Sequence, residues 1–208
     1  MTTRFLISLF TVVAATLNVA ATDRFFIEDF AIQRGQTAQV EILLDNEEQY
    51  TAFQADLYLP DGLTVVEGSY ALTGRKASDH TLSTSILPNG AIRLMSYSMR
   101  VNAYKDNSGA LVTFQVTASE TLNMPATITL KNIRFTSIAG TEAVLANSQC
   151  TIYLIGDVNG DGLVNIADAT SLIDMLLAGS EWSAKADVNC DGDISIADVT
   201  TLIDMLMN

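Results

Sequence analysis

Between residues 156 and 208 the chain twice repeats one order of oxygen-bearing side chains. Asp157, Asn159, Asp161, Asn165 and Asp168 stand at positions 1, 3, 5, 9 and 12 of a twelve-residue loop. Asp187, Asn189, Asp191, Ser195 and Asp198 hold the same positions in a second loop. Calcium is a hard cation that takes six to eight oxygens, and a loop of this length supplies them from positions 1, 3, 5, 7, 9 and 12. Position 7 offers its backbone carbonyl, so Leu163 and Asp193 complete the two sets. Gly162 and Gly192 occupy position 6, where the backbone must turn sharply. Val164 and Ile194 at position 8 are apolar and can pair the loops through a short β bridge. The chemistry read from this spacing is the binding of two calcium ions.

The alternative is an acidic surface stabilised only by Asx turns, but duplication argues against it. Residues 157–178 and 187–208 align with 14 of 22 positions identical. An EF-hand closes on Glu at position 12, whereas both loops here close on Asp. Asp is shorter, so each helix must begin closer to the ion. Helices are expected after each loop. Ile166, Ala169, Thr170, Ile173, Leu176 and Leu177 recur at helical spacing, as do Ile196, Val199, Thr200, Ile203 and Leu206. No helix is expected before the first loop. Residues 156–208 carry ten acids against one base, Lys185, a net charge of −9. So small and so charged a segment is expected to fold on binding its ions.

These loop–helix pairs resemble a type I dockerin over residues 156–208. The resemblance implies calcium-dependent docking to a cohesin. In that family partner choice rests on loop positions 10 and 11 and on the following helix. The corresponding residues here are Ile166, Ala167, Ile173 and Asp174, and Ile196, Ala197, Ile203 and Asp204. Many dockerins carry a hydroxyl pair and then a basic pair at these places. This chain has Ile-Ala and then Ile-Asp, which implies a more apolar, acid-flanked contact. Because both repeats agree there, a dual mode related by a 180° rotation is open. The other reading of Ile166 and Ile196 is interhelical core.

The elements that carry this tail are strands. Ranges 37–44, 53–59, 91–99, 110–118, 126–135 and 143–154 show period-2 patterning with β-branched and aromatic residues. Turn chemistry separates them, as at Pro60-Asp61-Gly62 and Asp106-Asn107-Ser108-Gly109. Eight or nine strands are expected over 22–155, in a β-sandwich or jelly roll. The runs from Phe53 to Leu63 and from Gly109 to Val116 resemble cohesin strands. The fold class expected is therefore mainly β: a cohesin-like sandwich followed by a small α-helical dockerin-like domain with two EF-hand-like calcium loops. No Pro- or Ser-rich linker separates Ile155 from Gly156, so the junction should be stiff.

The 208 residues are 49% hydrophobic with a formal net charge of −13. That balance excludes nucleic acid as a partner, because phosphate recognition needs clustered Lys and Arg. Residues 1–21 read as a secretory signal peptide, with Val19-Ala20-Ala21 before the cleavage point, and no membrane insertion of the mature chain is expected. His80 reads as a solvated loop residue, and the chain is read as non-catalytic. Tyr50, Tyr58, Tyr70, Tyr97 and Tyr104 could form a sugar-stacking platform or be ordinary strand tyrosines. Trp182 is expected to pack on the helices. Cys150 and Cys190 could form a disulfide or stay free. The function expected is cohesin–dockerin-type assembly of an exported protein near polysaccharide use. The partner would be a cohesin-like module in trans or, head to tail, another copy. The alternative is a polysaccharide-binding sandwich with the tail as a cap.

Overall fold

The structure, a computed structural model, describes residues 23–207. The leader read over 1–21 lies outside them. The strands are β1 (Arg24–Phe26), β2 (Phe30–Ile32), β3 (Thr37–Asp45), β4 (Tyr50–Tyr58), β5 (Leu63–Val65) and β6 (Ala71–Leu72), then β7 (His80–Ile86), β8 (Ile92–Ser98), β9 (Ala110–Ala118), β10 (Ala126–Ser137), β11 (Glu142–Val144) and β12 (Ser148–Leu154). Two helices follow, α1 (Ile166–Ala178) and α2 (Ile196–Met207).

One sheet runs β1-β3-β9-β5, with β6 also on β9. The other runs β2-β12-β10-β4-β8-β7, with β11 on β10. Pairing is antiparallel except for β2 beside β12. The long strands follow the alternation in the sequence. In β4, Phe53, Ala55 and Leu57 are buried between the sheets. Phe25, Phe53, Phe135 and Tyr50 form one aromatic cluster, with ring centroids 4.8–5.5 Å apart in the pairs that touch. Each such side chain contributes about 1.5–3 kcal/mol by leaving water.

A bulge in β10 between Lys131 and Arg134 departs from simple alternation. Asn132 there has φ +51°, so its side chain reaches Asp56 on the outer face while Ile133 enters the core. Asp56 is consequently buried although it alternates with the core residues. Arg93 grips both its oxygens, at 2.7 and 2.9 Å, and holds its carboxyl below the usual carboxylate range.

One residue differs from its sequence reading. His80 is not in a solvated loop; it opens β7 and is buried. Its ring stacks on Tyr104 at 4.2 Å, and its Nδ1 accepts the Ala77 N–H at 2.9 Å. Arg75 is also buried. Its guanidinium donates to the carbonyls of Leu44, Gly109, Lys105 and Asp106 and to Asn46 Oδ1.

Ile155, Val158, Ala169, Leu172, Ala186, Val188, Val199 and Leu202 form a second, small core between the two helices. It meets the sandwich without a linker. Ile155 donates to the Ile32 carbonyl at 3.3 Å, Ala31 packs on the same core, and Gln33 contacts Met205 Sδ at 3.3 Å. Gly156, at φ +86°, closes the junction by donating to the Lys185 carbonyl at 2.9 Å. A Cβ there would stand 3.0 Å from Leu202 Cδ1 and 3.1 Å from Val164 Cγ1, so only glycine fits unstrained.

Candidate metal centre and docking face

Each loop is built in two halves. The buried half is made by positions 1 and 12. Asp157 and Asp187 are each 7% exposed, and Asp168 and Asp198 are fully covered. They are held by backbone donors. Asp157 Oδ2 accepts the Gly162 N–H and Asp187 Oδ2 accepts the Gly192 N–H, both at 3.0 Å. Both glycines have positive φ, +85° and +93°, which aims their N–H groups back at position 1. Asp168 accepts from Asn159 N and Asn165 N, and Asp198 from Val188 N, Asn189 N and Ser195 N.

Position 12 is also a helix-capping position. Asn165 caps α1 through Ala167 N, and Asp168 returns to the Asn165 N–H, forming a capping box. Ser195 bonds Ala197 N in the same way ahead of α2. The shorter Asp therefore closes the loop from within the first helical turn, where negative charge also suits the helix dipole.

The exposed half is made by positions 3, 5 and 7. Asn159 and Asn189 accept from the N–H of Asp161 and Asp191, at 2.8 and 2.9 Å, in Asx turns. Their amides donate to Asp161 Oδ2 and Asp191 Oδ2. Leu163 and Asp193 are exposed, and they bring only their carbonyls to the ligand set. Among the described residues no three acid, histidine or cysteine side chains converge closely enough to hold an ion by themselves. In each loop the candidate set mixes two buried acids with exposed amide, acid and carbonyl oxygens.

The donor chemistry fits a hard cation. Four carboxylates are buried with no ion pair to any of them among the described residues. Burying charge without a counter-charge is costly. Asp157 Oδ1 is buried with no hydrogen-bond partner at all. The expected β bridge between Val164 and Ile194 is not formed; both residues are half-buried and pack on the helical core instead.

The helices carry apolar residues on two faces. Ala169, Leu172 and Leu176, and Val199, Leu202 and Leu206, face the small core. Ile166 and Ile196, each 69% exposed, are not interhelical core. With Ile173 and Leu177, and with Ile203 and Met207, they form two matching exposed stripes. Ala167, Asp174 and Asp204 are exposed beside them, and Ala197 is half-buried. Leu177 and Met207 extend the face beyond the residues read from sequence; their spacing of four from Ile173 and Ile203 was the available signal.

Trp182 is 57% exposed and is not part of the helical core. Tyr50 and Tyr104 are buried, Tyr58 lies under the Lys131 ammonium, and Tyr70 stacks on Phe114, so only Tyr97 of the five is well exposed. Cys150 and Cys190 are both free. Burial pushes the Cys150 thiol up to about 12. Among the described residues no helix is long and apolar enough to cross a membrane.

Residues 155–207 match the family model for the dockerin type I domain. No curated protein matches the chain. Solved structures match the sandwich. A non-cellulosomal cohesin from the archaeon Archaeoglobus fulgidus is similar at 17% identity and TM-score 0.52, covering 64% of this chain and 91% of its own. A chain of a type I cohesin–dockerin complex from Clostridium thermocellum matches at 11% identity and TM-score 0.52, covering 64% and 95%. A type II cohesin from the cellulosome of Acetivibrio cellulolyticus matches at 9% identity and TM-score 0.53, covering 64% and 96%. At these identities the likeness is one of fold. Type I dockerin domains bind calcium, and cohesin and dockerin are the two modules of one kind of protein–protein assembly. The chain thus joins, without a linker, a sandwich of the cohesin fold to a segment that matches the dockerin type I model.

Proposed function

We propose that this chain is an exported, non-catalytic assembly protein. In this reading residues 1–21 are the leader, 22–155 the sandwich and 156–208 the docking module. The module holds two calcium ions, one on Asp157, Asn159, Asp161, the Leu163 carbonyl, Asn165 and Asp168. The other is on Asp187, Asn189, Asp191, the Asp193 carbonyl, Ser195 and Asp198. It docks on a cohesin-fold module of another protein, or head to tail on the sandwich of another copy, in the setting of polysaccharide use. The observation that carries this reading is the pair of matching exposed stripes headed by Ile166 and Ile196.

Apolar side chains left in water at equivalent places of a repeat are a docking face more readily than a packing accident. The ions neutralise the loops behind that face and fix the helices that carry it. The head-to-tail form has its own support. Met95 and Tyr97 are exposed on β8 of the sandwich, which suits the apolar part of that face. Such a contact is heterologous and builds open chains.

The test is calorimetry of the full chain with calcium chloride, then with purified cohesin modules, alongside sedimentation of the chain alone. The expected result is calcium uptake followed by calcium-dependent binding of a cohesin module or calcium-dependent self-association. Ile166→Asp with Ile196→Asp should abolish docking while calcium uptake persists. Docking that survives the double substitution would sink the assignment of the face, and no calcium uptake would sink the assignment of the loops.

A further inference from the structure

The two loops match in sequence, yet their buried acids are not equally satisfied. In the second loop Asp187 uses both oxygens: Oδ1 accepts Asp191 N and Oδ2 accepts Gly192 N, each at 3.0 Å. In the first loop Asp157 is just as buried, and Oδ2 accepts Gly162 N, but Oδ1 meets nothing. The closing acids differ in the same direction. Asp198 accepts three backbone N–H groups, at 2.8, 3.2 and 2.8 Å, whereas Asp168 accepts two, at 3.1 and 2.9 Å.

From this difference, and resting on the calcium reading above, we infer that the loops fill in order. The first takes calcium more tightly, and its occupancy fixes the tail against the sandwich. The second follows as the weaker site. The physical reason is the starting state. A carboxylate already satisfied by backbone donors gains less from a cation than one buried with an unpartnered oxygen. Ion binding at the first loop relieves a cost that the fold otherwise carries. At the second loop most of that cost is already relieved by the protein.

Position in the chain gives the first loop its consequence. Asp157 follows Gly156, which is bonded to Lys185, and Ile155, which is bonded to Ile32. The unsatisfied oxygen therefore lies two residues beyond the Ile155–Ile32 hydrogen bond to the sandwich. The second loop's entry has no hydrogen bond of its own to the sandwich among the described residues; Lys185, two residues before Asp187, is bonded to Gly156 instead. One feature opposes the order. Lys185 Nζ lies 3.3 Å from where a Cβ on Gly160 would stand, so a positive charge sits beside the first loop. That ammonium forms no ion pair among the described residues, and its long stem lets it withdraw into water. Its presence lowers the preference without reversing it, and removing it should widen the gap.

The test is calcium titration of the full chain by calorimetry, with the Gly162 and Gly192 amides followed by NMR. Each of those amides donates to the position-1 acid of its own loop, so each reports its own ion. The Gly162 signal should saturate first, with the two constants separated about tenfold, the effect of one charge-assisted hydrogen bond. Asp157→Asn should remove the tighter event, Asp187→Asn only the weaker one, and Lys185→Met should tighten the first. The amide readout uses the unaltered chain, so it stands even if a substitution disturbs folding. Simultaneous saturation, or Gly192 first, overturns the order while leaving calcium binding intact. No uptake at all overturns both readings.

Discussion

Ile155 donates its backbone N–H to Ile32 in the sandwich and sends its side chain into the helical core, so one residue belongs to both modules. The tail is thereby seated at the β2 edge, where Ala31 and Gln33 meet it. Shortening this side chain should separate the modules thermodynamically. Ile155→Ala is expected to destabilise the tail by about 2–4 kcal/mol, since a core of eight buried residues cannot close over the gap. The sandwich should keep its stability. Differential scanning calorimetry with saturating calcium should then resolve two transitions in the variant, and a single unchanged transition would argue against the shared role.

Calcium removal should act on the helices and leave the sheets. The helices are 13 and 12 residues long, at or below the length that is stable alone in water. Their capping acids, Asp168 and Asp198, are fully buried, and without an ion they are charges with no counter-charge. Circular dichroism in a chelator should lose the helical signal and retain the strand signal, and restoring calcium should reverse the change. Helices that persist in chelator would show that backbone donors suffice to hold the loops.

The loops were legible in the sequence because every ligand of a site lies within twelve residues, and spacing alone conveys the pattern. The sandwich was legible where strands are long and alternate, as in β4 and β9. Among the described residues twelve strands form where eight or nine were expected, because β1, β2, β6 and β11 are only two or three residues long. β7 was missed for another reason. As an edge strand its residues are mostly exposed, so the sequence from His80 to Ile86 shows little alternation. The burial of Arg75, His80 and Asp56 depends on partners 24 to 76 residues away, such as Asn46, Tyr104 and Asn132, which no local pattern reveals. The helix faces were ambiguous because both are apolar; only packing shows that Leu172 is inside and Ile173 outside.

Arg75 is expected to be among the most sensitive positions of the sandwich. Its guanidinium satisfies four carbonyls and one side-chain amide at the end of the sheet that contains β3 and β9. Arg75→Met would leave those acceptors to water or to nothing, at a cost of about 3–5 kcal/mol. Arg75→Lys should recover little, because an ammonium has three donors and no planar fork. Urea unfolding of both variants in calcium would decide it; a lysine variant as stable as the parent would show that charge, and not the fork, matters.

His80 should give the sandwich an acid-side weakness distinct from that of the loops. Burial against Tyr104 holds its imidazole below the ordinary pKa, so the folded state keeps it neutral. Nδ1 accepts from Ala77, which places the ring proton on Nε2. Below the ordinary value of about 6.5 the unfolded chain binds a proton that the folded chain refuses. Stability is therefore full above that pH and falls as pH drops from there toward the lowered folded value. With calcium held saturating, the thermal midpoint of the parent should fall between pH 7 and 5. His80→Phe, which keeps a ring on Tyr104, should flatten that dependence. An equal slope in both proteins would assign the acid sensitivity to the carboxylates.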